Sequence, residues 1–529
     1  MVEVFTRKAS GLVRSVSTRD VFIYNLGIIN LGFGISYILR WGTPYYFGAD
    51  LIRATLIVAF FCTIQALVYY LFSVALPRSG GEYVFISRAL HPSLGFAFSF
   101  STTLWMIFYV AWSAANFASL GLSSFFTILG LHLKNPNLAA TSVWLESPMG
   151  IFVVGTELII VAGSLFILGM RPYLRVQFWA FVVAMLGIAA TFVVLLSTSH
   201  PQFVEAFNAF ARSSIGEDAY DRVFAIARQS GWRTPGFNWP ATLAVLVWPF
   251  YPLAYSFMST SFGSEIRRVE RSQLIGMPGA VVFAAMVFLA LITLADRVMG
   301  LDFLGAIGWN ALAAPEGSTK VTPWFHLLAS LPSGSTLLVL LITLGFVMWT
   351  YFWIGGDILY TTRMIFAWAL DRVAPDRLSA VHPTLRTPVN SILLSMAMSE
   401  IFLALYAFTP WFTTLVGTLA ITLTFLMIGI SATVFPYTKP EMYSNSPVAR
   451  YRIGSIPVIS LLGVVTTVFM AFMAYRLFND EIASGPKGTA LVTVGAPLLF
   501  GFACFYLARF WQKKRGVDIS LAYKEIPIE

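Results

Sequence analysis

The sequence predicts an all-α integral membrane protein with twelve transmembrane helices, and three observations carry that prediction. Of the 529 residues, 57% are hydrophobic and only 11% are charged, whereas soluble globular proteins carry roughly 25% charged residues. The chain also contains twelve apolar runs, each near the roughly 20 residues that a helix needs to cross a bilayer. Finally, two of these runs contain residues that interrupt helices. Most of the surface is therefore expected to face lipid.

The twelve apolar runs are separated by mostly short polar segments. They lie at about 20–39, 54–76, 94–121, 149–170, 175–197, 240–262, 276–295, 334–356, 388–408, 411–435, 455–475 and 488–508. Residues 1–19 are polar and basic, so the first run is expected to be a permanent helix rather than the core of a cleaved signal peptide. An even number of crossings puts both termini on one side of the membrane.

The distribution of Lys and Arg assigns that side to the cytoplasm. Most of the 34 basic residues fall on the cytoplasmic side if both termini lie there, as expected for a multi-pass protein of the cell membrane. These residues form no basic stripe interleaved with aromatics, so nucleic acid is not an expected partner. The two Cys lie in apolar runs and the five His are scattered, so we expect neither a disulfide nor a metal site, and no cofactor.

The first and sixth runs contain residues that break helices. The first carries three glycines and two asparagines, and the sixth carries Pro249 and Pro252 in mid-membrane. Pro removes a backbone donor and Gly permits non-helical dihedral angles. Because unpaired backbone groups in hydrocarbon cost several kcal/mol, such breaks persist only where they are buried or line a wet cavity. Gly and Pro also serve plain packing in membrane helices, and that alternative stays open for each run alone.

The two interrupted runs occupy matching places, since each opens a block of five helices. Interruptions at corresponding positions of two halves indicate a secondary transporter built from inverted repeats, with its binding site near the midplane. The predicted organisation is a cytoplasmic segment at 1–19, a first repeat at 20–197, an extracellular loop at 198–239, a second repeat at 240–438, two extra C-terminal helices at 455–508 and a cytoplasmic tail at 509–529.

Four stretches of the chain resemble the amino acid–polyamine–organocation (APC) superfamily of permeases. They are Gly32-Phe33-Gly34-Ile35 in the first run, Pro77 to Tyr83 with Ser87 to Leu90 after the second, Ser264 to Arg268 after the sixth, and Thr362-Arg363 through Asp371, Pro375, His382-Pro383 and Arg386-Thr387-Pro388 after the eighth. The resemblance implies the five-plus-five inverted-repeat fold of the leucine-transporter type, with interrupted helices 1 and 6. Phe33 stands where the family has a small Ser, which is expected to narrow the pocket.

The resemblance also implies where a substrate would bind. Its carboxylate would meet backbone amides of the first interruption, and its amine would meet carbonyls of the second. Its side chain would face aromatics of helices 3, 6 and 8. The substrate-binding residues expected on this basis are Asn30, Gly32, Phe33, Gly34, Ile35, Tyr109, Phe250, Tyr251, Leu253, Ala254, Tyr255 and Trp349. Large aromatics at helical spacing also occur as plain packing, so their role as pocket walls is an expectation.

Two acidic residues near the membrane edge are expected to serve coupling or gating. Asp357 lies about 9 Å before Arg363 if the helix continues at 1.5 Å per residue, a depth suited to a coupling proton or sodium ion. A mid-membrane charge costs about 2.5–3.5 kcal/mol and therefore tends to be functional, although an ion pair with an inner-loop Arg is an equal alternative. Glu265 is expected to anchor an inner gate with an Arg rather than to move a proton.

These features predict a secondary active transporter that moves amino acids across the membrane. Because no acidic residue lies within the interruptions, neutral or apolar amino acids are the expected substrates. The alternative is a polyamine or organocation carrier, or an amino-acid exchanger, and the discriminating feature is a carboxylate that reaches the pocket. An enzyme is not expected because no HExxH, P-loop or GxSxG motif is present. A channel is disfavoured because rings of charge and filter repeats are not visible.

Overall fold

The computed structural model describes residues 11–313 and 324–523, and within them the chain is almost entirely helical. The first half contains α1 (Thr18–Ile29), α2 (Leu31–Tyr45), α3 (Leu51–Ala75), α4 (Gly81–Ala89), α5 (Pro92–Asn116), α6 (Ser123–Leu133), α7 (Pro136–Glu146), α8 (Pro148–Leu168), α9 (Met170–Ser197), α10 (His200–Ile215), α11 (Tyr220–Gln229), α12 (Trp239–Ala244) and α13 (Val247–Leu253). Residues 1–10 and 524–529 of the expected cytoplasmic ends lie outside the described chain.

The second half continues the same pattern of long helices joined by short ones. It contains α14 (Val269–Gly276), α15 (Pro278–Val298), α16 (Leu301–Ala313), α17 (Phe325–Ser330), α18 (Thr336–Leu370), α19 (Val389–Phe408), α20 (Thr418–Thr438), α21 (Pro440–Ser444), α22 (Val458–Phe478), α23 (Glu481–Ser484) and α24 (Lys487–Lys514). The strands β1 (Arg452–Ile453) and β2 (Ile456–Pro457) pair as a small antiparallel hairpin before α22.

Eleven helical segments of the described chain are long and apolar enough to cross a membrane. The predicted helical membrane protein is therefore confirmed. The predicted run at 240–262 is not among these spans, because it is divided into α12, α13 and the 3₁₀ turn Met258–Ser261. None of these pieces approaches the length of a crossing by itself, and the two prolines explain why no continuous helix forms there.

The predicted end of the eighth apolar run, at residue 356, is too early. The helix α18 contains 35 residues and continues to Leu370, so it is about 52 Å long. Its last four turns carry Asp357 and Arg363, which hydropathy alone excludes from a membrane run, yet both side chains are buried. Asp357 therefore lies inside this helix rather than at its end.

The interrupted segments meet at the centre of the bundle. Helix α13 packs against α1, α2 and α3, and α18 packs against α1, α5 and α9. The helix is interrupted between α1 and α2 at Asn30, and the short helix α13 ends at Leu253. This arrangement brings both interruptions and the middle of α18 to one place, where the candidate site lies.

Candidate functional site

The first interruption is made by a single asparagine. Asn30 has φ 63° and ψ 82°, the left-handed conformation, and separates α1 from α2. Asn tolerates this region better than most residues with a side chain. Its side-chain oxygen accepts a hydrogen bond from the Phe33 amide (3.1 Å), its side-chain nitrogen donates to the Trp349 carbonyl (2.7 Å), and its carbonyl accepts from the Gly34 amide (2.7 Å). Asn30 thus fixes both the break and its position on α18.

The glycines expected to open the first interruption lie instead within α2. A Cβ at Gly32 would lie 2.5 Å from Cδ1 of Trp349, and a Cβ at Gly34 would lie 2.6 Å from Cζ of Phe288. Their small size therefore permits close packing of α2 on α18 and α15. The amides of Phe33 and Gly34 are bonded to Asn30 in this conformation.

The second interruption presents aromatic side chains to the cavity. The Phe250 carbonyl accepts the Ala254 amide (3.1 Å). The Phe250 ring lies 6.1 Å from that of Phe469 in α22 and points away from α18. Tyr251 and Tyr255 point the other way, and their ring centroids are 6.2 Å apart.

A small cavity lies against both interruptions. Its volume is about 30 Å³, which is room for one or two water molecules. The cavity is lined by Ile28 of α1, by Met106, Tyr109, Trp112 and Ser113 of α5, by Tyr251, Pro252 and Tyr255 of the second interruption, and by Trp353 and Asp357 of α18. The walls are therefore apolar and aromatic, with one carboxylate among them, as is usual for a small-molecule pocket.

Asp357 is the only acidic residue among the lining side chains. It is 4% exposed, and within the described chain its carboxylate has no hydrogen-bond or ion-pair partner. An unpaired buried charge is costly, so buried carboxylates normally have partners. The ion pair with an inner-loop Arg, which the sequence left open as an alternative, is not formed among the described residues.

An aromatic layer closes the cavity on the side of α2 and α17. We use this name for Phe33, Tyr37, Trp112, Tyr251 and Trp324. The Phe33 ring lies 5.6 Å from that of Trp112, and the Tyr37 ring stacks on Tyr251 at 5.7 Å and on Trp324 at 6.1 Å. The layer shares Trp112 and Tyr251 with the cavity wall, so a movement of these rings changes access to the cavity.

A buried ion pair closes the other side, beyond Asp357 along α18. The guanidinium of Arg363 donates two hydrogen bonds to Glu265, with Nε to Oε1 at 2.6 Å and NH2 to Oε2 at 3.3 Å. Both side chains are 3% exposed. The Glu265 carbonyl also accepts the amides of Ser15 and Val16 (2.9 and 3.1 Å). The N-terminal segment, the second interruption and α18 are thereby tied together at one point.

The helix α4, outside the candidate spans, carries a further buried carboxylate. Glu82 is fully buried, and it accepts a hydrogen bond from the Tyr360 hydroxyl of α18. Its other oxygen has no hydrogen-bond partner in the described chain. Burial raises the pKa of Glu82 to about 7, although the Tyr360 hydrogen bond opposes that rise. Near neutral pH, Glu82 is thus expected to change its charge.

We expect Glu82→Gln to remove part of the pH dependence of stability. Between the ordinary pKa of about 4.5 and the folded value of about 7, the folded state keeps a proton that the unfolded state has lost. The free energy of unfolding therefore falls as pH rises through this window, by on the order of 3 kcal/mol. Unfolding in detergent at pH values below and above the window measures this fall, which should shrink in Glu82→Gln and persist in the exposed control Glu441→Gln. An equal fall in both variants would contradict the assignment.

Some of the predicted substrate-binding residues line the cavity and others do not. Tyr109, Tyr251, Tyr255 and the predicted coupling residue Asp357 are in the lining. Trp349 is not, because its ring packs on Gly32. The remaining predicted residues, all buried in or beside the two interruptions without lining the cavity, are Asn30, Gly32, Phe33, Gly34, Ile35, Phe250, Leu253 and Ala254.

The sequence did not identify several residues of the wall. Trp112 lies three residues after Tyr109 on α5, and Trp353 lies four residues before Asp357 on α18. Residues three or four apart share one face of a helix, so this spacing to a residue already chosen was an available indication. Among the described residues, no group of three or more His, Cys, Asp or Glu side chains is placed to hold a metal ion.

We compared the chain with protein-family models and with known proteins. A family model described as amino acid permease matches residues 21–497, a range that contains every residue of the cavity wall. The chain is also similar to "Uncharacterized protein 399" of Sulfolobus islandicus rod-shaped virus 1, with 32% identity over 102 residues. That similarity covers 19% of this chain and only 25% of the viral protein.

Proposed function

Because the chain belongs to the amino acid permease family within the APC superfamily, we propose that it is a secondary active transporter that moves a small amino compound across the cell membrane by alternating access. Membership of a permease family indicates a transporter rather than an enzyme. The resemblance seen in the four sequence stretches is thereby confirmed.

The proposed architecture has twelve crossings. Eleven are the candidate spans, of which the first, Thr18–Tyr45, is interrupted at Asn30, and the segment from α12 to the 3₁₀ turn Met258–Ser261 is the interrupted sixth. Residues 20–197 and 240–438 form two five-helix repeats of opposite orientation, followed by α22 and α24. The concentration of Lys and Arg supports a cytoplasmic location for both termini.

One observation carries the proposal: an apolar cavity touches both interrupted segments and holds a single carboxylate. Ile28 lies next to the end of α1, and Tyr251 and Pro252 belong to α13. Interrupted helices at the centre of a transporter supply the binding site in other inverted-repeat folds. The small volume indicates a closed conformation in which the rings must move apart to admit a substrate.

The roles of the polar groups follow from their places in this cavity. We propose that Asp357 binds the coupling proton or sodium ion, or the substrate's ammonium. Glu265 and Arg363 form the inner gate, since they join the second interruption to α18 between the cavity and the N-terminal segment. The aromatic layer forms the outer gate. The absence of further charge from the cavity lining supports a neutral or apolar amino acid as substrate.

The second candidate is an organocation carrier or an exchanger. It is favoured by Asp357, because a carboxylate that reaches the pocket is the feature that separates the two substrate classes. An ammonium cation is attracted both by a carboxylate and by the faces of Trp and Tyr rings.

Uptake by the purified protein in liposomes tests the function. We expect saturable uptake of one labelled compound from a panel of neutral amino acids and their amines, with accumulation only under a proton or sodium gradient. A flux that rises in proportion to concentration without saturation would instead indicate a channel.

A further inference from the structure

The surroundings of Asp357 contain rings and hydroxyls but no counter-charge. The titratable groups that interact electrostatically with it are Tyr24 of α1, Tyr109 of α5, Tyr173 of α9 and Tyr255 of the second interruption. All four are neutral near neutral pH. No Lys, Arg or His side chain lines the cavity.

The one charged residue further along the same helix is already neutralised. Arg363 lies six residues beyond Asp357, about 9 Å along the helix axis, and both of its hydrogen bonds described above go to Glu265. A second carboxylate, Glu82, faces Tyr360 rather than the cavity. Asp357 must therefore obtain its neutralising charge from whatever enters the cavity.

An unpaired carboxylate in the middle of a membrane makes a conformational change energetically costly. A buried isolated charge is costly, and the cost disappears when the group binds a proton or a cation. We propose that Asp357 carries either a proton or the ammonium group of the substrate, but not both, and that the protein therefore exchanges a monovalent organic amine for a proton. This inference rests on the proposed transport function, and it selects the second candidate, an organic cation, as the substrate class and a proton as the coupling ion.

The exchange balances in charge and in protons. When the ammonium group enters, the proton on the Asp357 carboxyl leaves to water on the side to which the cavity is open. The carboxylate and the ammonium then form a neutral pair that crosses with the conformational change. On the other side a proton from water replaces the ammonium, and the neutral, empty protein returns. One cation is exchanged for one proton, so no net charge moves.

The cavity is better suited to bind an ammonium group than a carboxylate. The faces of Trp112 and Trp353, whose ring centroids are 5.3 Å apart, lie in the wall with Asp357, and such faces attract cations. The Phe33 and Gly34 amides are bonded to Asn30. A zwitterionic amino acid would thus bring a carboxylate close to Asp357 without a cationic side chain to balance it. An amine with an apolar or aromatic body is the better match.

Proton release on binding is the sharpest test. In weakly buffered detergent solution, phenethylamine should bind the purified protein and release about one proton for each molecule bound. In the pH range where Asp357 of the empty protein is protonated, the affinity for phenethylamine should fall by about tenfold for each unit that the pH is lowered, because proton and ligand compete for one group. Phenylalanine should bind at least tenfold more weakly. Asp357→Asn should release no proton and lose the pH dependence.

A matched variant and a transport assay complete the experiment. Glu400→Gln replaces a half-buried carboxylate, which accepts a hydrogen bond from Thr156 (2.9 Å) away from the cavity wall, and it should behave as the native protein. In liposomes, an acidic interior should drive uptake of phenethylamine, and a membrane potential should not. Protein-free and Asp357→Asn liposomes measure passive entry of the uncharged amine. If Asp357→Asn does not fold, proton release and the pH dependence of binding in the native protein still test the proposal.

Two outcomes separate the inference from the proposed function. If phenylalanine binds as tightly as phenethylamine and no proton is released, shared use of Asp357 is wrong, although saturable amino-acid transport would keep the proposed function intact. If no amine or amino acid binds saturably, both are wrong.

Discussion

Arg363→Met is expected to lower the free energy of unfolding by about 3–5 kcal/mol, because it leaves the Glu265 carboxylate buried without a partner. The loss comes from the uncompensated charge, since both side chains are 3% exposed. The double variant Glu265→Gln/Arg363→Met removes the charge as well and should recover most of the loss. Unfolding by denaturant in detergent measures both differences.

The exposed ion pair between Arg450 and Glu270 supplies the control. Both side chains are about half exposed, so Arg450→Met should change stability by no more than about 1 kcal/mol. If Arg363→Met costs no more than Arg450→Met, the buried pair does not hold the inner side of the protein together.

Asn30→Ala is expected to cost roughly 3 kcal/mol and to abolish transport. Alanine pays about 1–2 kcal/mol for the left-handed conformation, and the lost side chain leaves the Phe33 amide and the Trp349 carbonyl without their hydrogen bonds, at about 1–3 kcal/mol. Asn30→Gly separates these terms, because glycine adopts φ 63° without strain. It should therefore be more stable than Asn30→Ala. Equal losses in the two variants would mean that the left-handed backbone is not what Asn30 supplies.

The sequence predicted that the first run is interrupted but not by which residue. Gly32 and Gly34 suggested the break because glycine permits unusual dihedral angles. In the structure both residues are helical, and a larger side chain would not fit there because Trp349 and Phe288 lie against them. Whether a glycine serves the backbone or a neighbour depends on what packs against it, and the neighbours come from distant parts of the chain.

The same limit explains why the sequence selected Trp349, which does not line the cavity, and not Trp353, which does. Trp349 and Trp353 are both buried in an apolar helix, and a helix that is apolar all round gives no periodicity from which to deduce its orientation. The polar residue Asp357 was the only guide, since a residue four positions away shares its face. The interruptions and the family resemblance indicated the segments that contain Tyr109, Tyr251 and Asp357. No feature of the sequence indicated Ser113.

Cavity-filling at Ser113 tests most directly the claim that this cavity is the substrate site. Ser113 is buried, lines the cavity on α5, and its hydroxyl has no hydrogen-bond partner in the described chain. The measurement is equilibrium binding of the labelled compound that the uptake panel identifies, to Ser113→Leu and Ser113→Ala. We predict that Ser113→Ala binds within a few-fold of the native protein, whereas Ser113→Leu fills the space and weakens binding by at least about tenfold while still unfolding cooperatively. Native affinity in a folded Ser113→Leu protein would place the substrate elsewhere and contradict the account.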